Sequence, residues 1–148
     1  DRFAETDNAD IVIYNQNYSA FREVGIGCEF SRGWGWFPET FGKMLAAATG
    51  EEQFADINYL EKVGDRIITM ERAFNVRNGF SRKDDTLPER MLKEPLHTRG
   101  APGEGQMMRE QDKFLDRYYD LRGWSRNGIP TIAKIKELGL DYLIDELE

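Results

Sequence analysis

The clearest pattern in the chain runs from residue 56 to 78. Apolar side chains recur at Ile57, Leu60, Val63, Ile67, Met70 and Phe74, in steps of three or four. That spacing puts them on one face of an amphipathic helix, and Asn78-Gly79 supplies its stop. An earlier helix is expected after Thr6 as N-cap, with Asp7 in its first turn. It passes through Ile11, Val12, Tyr14, Tyr18 and Phe21 and ends before Gly25. Pro38 opens a further helix carrying Phe41, Met44 and Leu45, which stops at Thr49-Gly50. Residues 80–105 form a loop rich in Pro, Gly and charge. A loop that long in a compact domain is docked against something or is functional. Another helix is expected over 105–122, with Met108, Leu115, Tyr118 and Leu121 on one stripe and Gly123 at its end. Pro130-Thr131 starts a short helix with Ile132, Ile135 and Leu138, and a last turn or two covers 142–147. No stretch alternates as a strand would. The expected fold is all-α: a single helical domain over 1–148, a multihelical (orthogonal) bundle of about five to six helices.

Composition narrows the class. The chain has 148 residues, 40% hydrophobic and 32% charged, a globular balance with enough length for a sizeable core. The net charge of −7 argues against nucleic acid as a partner, because phosphate binding needs a positive field. No apolar run has the length of a membrane span, and Asp1-Arg2-Phe3 opens into a polar stretch without a secretory signal. The expected compartment is the cytoplasm, which the single cysteine suits. The absence of an initiating Met points to an excised segment, a C-terminal fragment of a larger multidomain protein.

Candidate chemistry is sparse. One cysteine, Cys28, and one histidine, His97, cannot build a structural zinc site by themselves. Cys28 follows Gly25-Ile26-Gly27 and precedes the aromatic, Gly-rich stretch that holds Trp34 and Trp36. Read alone, such a thiol is a small buried hydrophobe. His97 reads as an exposed loop residue. Glu23 stands near a helix C-terminus, the unfavourable end of the dipole for an acid. It is either an exposed, solvated side chain or one with a specific partner. Asp65, Arg66, Glu71, Arg72, Arg77, Asp84, Asp85 and Arg90 read as structural, tying the long loop back to the 56–78 helix through buried ion pairs. Trp34, Trp36 and Trp124 read as packing residues.

Several word-like segments occur in order. Gly64-Asp65-Arg66-Ile67 leads into Glu71-Arg72-Ala73-Phe74-Asn75-Val76-Arg77-Asn78-Gly79-Phe80-Ser81-Arg82-Lys83-Asp84-Asp85. Thr86-Leu87-Pro88-Glu89-Arg90 and Glu94-Pro95-Leu96 follow. Tyr118-Tyr119-Asp120-Leu121-Arg122-Gly123-Trp124, Gly128-Ile129-Pro130-Thr131 and Leu138-Gly139-Leu140 complete the series. Over about residues 8–140 this run resembles the C-terminal domain of the tungsten- or molybdenum-containing aldehyde:ferredoxin oxidoreductase family.

The resemblance implies a parent enzyme with a bis-pterin tungsten or molybdenum centre beside a [4Fe-4S] cluster. It would oxidise aldehydes to carboxylic acids and pass electrons to a ferredoxin-like partner. A cubane takes four thiolates. By resemblance three come from earlier in the parent chain and Cys28 is the fourth, which makes it the metal ligand. The family pattern before that cysteine is Asp, two residues, Gly and an aliphatic residue, with the Asp hydrogen-bonded to pterin. Here Glu23 stands at the Asp position and Gly25-Ile26-Gly27 replaces the Gly–aliphatic step. Either Glu23 takes the role with a longer arm or one extra residue sits in the turn. Glu23 and Gly27 are accordingly the cofactor-binding candidates. By resemblance the catalytic Glu and His precede this segment, so no catalytic residue is assigned here, and the isolated segment is expected to bind no cofactor and be inactive. The alternatives are a cofactor-free helical interaction module with a buried thiol, or a family member acting on another carbonyl compound.

Overall fold

The computed structural model describes residues 8–28, 30, 38–97, 99–100 and 103–147. Six α-helices and no strand occur among them, an all-α multihelical architecture as expected. The helices are α1 (Ala9–Val24), α2 (Pro38–Thr49), α3 (Ile57–Arg77), α4 (Glu89–Lys93), α5 (Gln111–Arg122) and α6 (Ile132–Glu137), with short 3-10 turns between and after them. No described helix is long and apolar enough to cross a membrane.

The local signals explain most boundaries. Pro38, whose missing N–H costs nothing in a first turn, opens α2. The Asp56 side chain accepts from the Asn58 N–H at the start of α3, and Asn78 closes it. The Thr131 side chain accepts from the Lys134 N–H and caps α6. Two boundaries differ from expectation. Thr6 and Asp7 lie outside the described residues, and α1 has Asn8 as its N-cap residue. The α5 helix begins at Gln111, not near 105, because the preceding residues pair with the α4 region instead: the Leu96 N–H donates to the Gln106 carbonyl, the Gly105 N–H to Leu96 and the Met108 N–H to Met91.

The core has three parts. Ala9, Tyr118, Tyr119 and Trp124 pack with Val12, Ile13, Ile68, Phe114 and Leu115 where α1, α3 and α5 meet. Tyr18, Phe21, Phe41 and Leu60 pack with Leu45, Phe54, Ile57 and Val63 between α1, α2 and the first half of α3. Ile135, Leu138 and Leu140 pack with Leu143, Ile144 and Leu147 at the C-terminal end. The second half of α3 departs from the expected stripe. Met70 and Phe74 are exposed, whereas Thr69, Arg72 and Ala73 are buried. Large rings from α5 fill this junction, so α3 contributes small residues and an arginine there. At the α1–α3 crossing a Cβ on Gly64 would lie 2.2 Å from the Asn17 carbonyl oxygen, which is why the middle of α3 carries a glycine.

Polar groups tie these layers together. The buried Arg122 guanidinium donates to Asn17 Oδ1 (2.6 Å), Asp65 Oδ1 (2.9 Å), Gln16 Oε1 (2.7 Å) and Tyr118 Oη (3.2 Å), joining α1, α3 and α5. Asp65 also accepts from Lys134 Nζ at 2.6 Å, which brings in α6. The long loop is docked as expected: Arg72 donates to both Asp85 carboxylate oxygens, at 2.7 and 2.6 Å, and to the Gly128 carbonyl at 2.7 Å. Tyr119 donates a short hydrogen bond to the same Asp85 carboxylate. Of the other charged residues expected to act structurally, Glu71, Arg77 and Arg90 are exposed.

Two outcomes follow for stability. Asp85→Ala strands the Arg72 guanidinium, so urea unfolding should show a loss of about 3 kcal/mol, the cost of removing one partner of a buried pair. Burial, with the hydrogen bond to Asp85 next, raises the Tyr119 pKa well above its ordinary 10. Burial is the largest single effect and pulls Lys134 down, but the hydrogen bonds and charges of Asp65 and Glu137 together outweigh it and leave it raised above 10.5. Both groups bind a proton more tightly folded than unfolded, so their stabilisation is full below about pH 10 and drains away as pH rises beyond it. Phenolate absorbance during alkaline titration should show one tyrosine ionising only with unfolding, and Tyr119→Phe should remove it.

Candidate functional site

The three candidate residues occupy the end of α1 and the turn that follows. The Gly25 N–H donates to the Phe21 carbonyl (3.1 Å), the Ile26 N–H to Glu23 (2.9 Å) and the Gly27 N–H to Arg22 (2.9 Å). These bonds fold the chain back on the last helical turn. Ile26 then sits in the left-handed region with φ 59°, the one such non-glycine residue among those described. A β-branched side chain is strongly disfavoured there.

The turn rests directly on the core. A Cβ at Gly25 would lie 2.5 Å from Phe41 Cζ, and one at Gly27 would lie 2.7 Å from Arg22 Cγ. Phe41 and Arg22 are both buried, and Arg22 has its guanidinium carbon 5.4 Å from the Tyr18 ring centroid. The two glycines therefore let the backbone lie against a ring and an arginine stem. The order of contacts is core ring, glycine turn, thiol, with Cys28 exposed at the end.

Glu23 is exposed and lines a cavity of about 440 Å³ between α1 and α3, beside Ser19, Ala20, Ile67 and Glu71. The structure therefore brings Glu23, Gly27 and Cys28 onto one helix end, with Gly27 packed inward and the other two outward. The reading of Cys28 as a buried core thiol does not hold, because the residue is exposed. His97 is exposed, and Trp124 belongs to the core. Trp34 and Trp36 lie outside the described residues. No group of three or more His, Cys, Asp or Glu side chains able to hold a metal occurs among the described residues. What this turn offers is one accessible sulfur on a firmly seated backbone.

Of the two residues that underlie the turn, the sequence offered Phe41 only as an apolar position of α2 and Arg22 not at all. The available signal was spacing: Arg22 follows Tyr18 by four residues, on the buried stripe of α1.

The described residues thus form an all-α domain with one exposed thiol at a helix end. Residues 1–140 match the family described as aldehyde ferredoxin oxidoreductase, domains 2 & 3, and the chain belongs to that family. The tungsten-containing aldehyde ferredoxin oxidoreductase of Pyrococcus abyssi is 37% identical over 139 residues, covering 93% of this chain and 22% of that protein. The Pyrococcus horikoshii protein of the same name is 38% identical over 136 residues, covering 91% of this chain and 21% of that one. Among solved structures, the active site complex BamBC of benzoyl coenzyme A reductase with 1,5-dienoyl-CoA superposes with a TM-score of 0.72 and 29% identity, over 93% of this chain and 20% of that one. The chain thus spans about a fifth of the length of these relatives.

The seating of the turn can be tested directly. Gly27→Ala should force Arg22 aside and lower stability by about 1–3 kcal/mol, the usual overpacking cost. Gly105→Ala, where no atom lies within 4 Å, should show only the smaller penalty of its left-handed backbone. Paired denaturant melts give the comparison.

Proposed function

We propose that this chain is the C-terminal helical domain of a tungsten- or molybdenum-pterin oxidoreductase and that Cys28 provides one thiolate to its [4Fe-4S] cluster. The observation that carries the reading is an exposed sulfur on a glycine turn packed against Phe41 and Arg22, within a segment that matches the family throughout. The donor set agrees: a cubane needs four thiolates and this chain has one cysteine, so the other ligands belong to other domains of the same parent chain. When bound, the pterin metal supplies two-electron exchange with substrate and the cluster supplies one-electron transfer outward.

The residues here do three things in that scheme. Cys28 presents its thiolate. Gly27, free of a side chain, keeps the backbone low enough for a planar cofactor to approach. Glu23, in the last turn of α1 and five residues before Cys28, offers a carboxylate on the same helix end and takes the role of the hydrogen-bond acceptor for pterin with a longer arm. The proposed substrate is a small aldehyde, the electron acceptor is ferredoxin-like and the compartment is the cytoplasm. The segment alone binds no cofactor and is inactive, for want of the remaining ligands. The aldehyde assignment follows the higher identity to the Pyrococcus proteins. The similarity to a benzoyl coenzyme A reductase complex makes a different carbonyl substrate, an acyl thioester, the competing assignment.

The decisive experiment compares the anaerobically purified parent protein with its Cys28→Ser variant. The wild type should hold about four iron per chain together with tungsten or molybdenum, and show a low-temperature EPR signal from the reduced cubane. The variant should lose that signal. A wild type without iron and pterin metal would leave a helical interaction module. Turnover of aldehydes against acyl thioesters separates the two substrate assignments.

A further inference from the structure

The turn before Cys28 places side chains against backbone preference. Its one left-handed position carries isoleucine, where glycine or asparagine would relieve the strain. The flanking positions carry glycine because a Cβ there would strike Phe41 or Arg22. Relaxed packing would thus put a small residue at 26 as well, yet the chain holds a branched apolar one there and points it outward. Ile26 is 93% exposed, Val24 is 66% exposed and Phe30 is 93% exposed. Three large apolar side chains therefore stand in the open within four residues of the sulfur. Such clustering marks a surface that is covered in use.

We propose that Val24 and Ile26 form an apolar rim that keeps water from the cluster edge at Cys28 and thereby sets its reduction potential, an inference that rests on the reading of Cys28 as a cluster ligand. The physical basis is the charge change at the cluster. Reduction makes an already negative cluster with thiolate ligands more negative, and water stabilises the reduced form more than the oxidised one. Dry apolar surroundings therefore hold the potential low, and solvent access raises it. Ile26 is two residues from the sulfur and Val24 is the last residue of α1, on the same helix end.

The test uses the anaerobically purified full-length parent: wild type, Ile26→Asn and Val24→Ser, each with iron counted per chain and the cluster titrated by EPR. Asparagine accepts the left-handed backbone, so it removes the apolar side chain without upsetting the turn. The expected result is unchanged iron and a midpoint shifted upward in both variants. Full iron with an unmoved midpoint in both overturns the rim. Loss of iron in Ile26→Asn alone leaves Val24→Ser to decide on the same criterion, and loss in both assigns these residues to seating the thiol and overturns the water-exclusion role. A wild type without a cubane signal fails the Cys28 reading itself, before any variant is compared.

Discussion

The buried Arg122 guanidinium is the constraint on which the arrangement of helices depends. It has no access to water, so every N–H it carries has to find an acceptor inside the domain. Asn17 and Gln16 on α1, Asp65 on α3 and the Tyr118 hydroxyl on α5 take four of the five. Its flat face also lies within 5.4 Å of the Tyr118 ring centroid and 6.0 Å of that of Trp124. A helix rotation or slide that an apolar seam would tolerate would here leave a charge unpaired in the interior, at a cost of several kcal/mol. The pair therefore fixes how α1 lies across α3, and Gly64 allows the two backbones to close on each other at the same level.

That anchoring reaches the candidate site through α1 itself. Asn17 is held at the crossing, and one and a half turns later Arg22 and Phe21 are buried against Tyr18 and Phe41. The chain leaves the helix over these side chains with glycine at both contact points, so the position of Cys28 is referred back to the core in a few short steps. A thiol on a free loop would have to be ordered each time it met a partner. Here the ordering has been completed by folding.

Much of this was legible in the sequence and some was not, for identifiable reasons. Pro38, Asp56, Asn78 and Thr131 act locally, on the first or last turn of their own helices, and the corresponding boundaries could be read from neighbouring residues. The tie between α3 and the long loop was also legible, because an Arg-rich helix followed by a loop of acids has few satisfying pairings, and Arg72 with Asp85 is one. What escaped depends on partners far along the chain. Met70 and Phe74 continue a perfect apolar period, but the rings of Tyr118 and Tyr119 occupy the space and turn that face outward. The start of α5 was misplaced because Gly105, Gln106 and Met108 bond to the α4 region. Arg22 and Arg122, the two most deeply buried arginines, look in sequence like surface residues. At the candidate site the family pattern pointed to Cys28, Glu23 and Gly27 as candidates, whereas the Arg22 stem beneath them gave no such signal.

The donor count gives the domain its meaning. A single cysteine cannot by itself retain a cubane, no group of three or more metal-ligating side chains occurs among the described residues, and an exposed thiol beside exposed Val24, Ile26 and Phe30 is a poor end state for a free surface. Under the proposed function both deficits would be removed by the same event, the closing of the remaining domains over this helix end. Burial of the apolar rim would favour that closure, and the cluster would tie the halves together through sulfur. Under the proposed function, cofactor retention and domain closure are then one equilibrium, in which each stabilises the other by linkage. The rigidity of α1 matters to that equilibrium because a thiolate already in place adds its bond energy without first spending it on order.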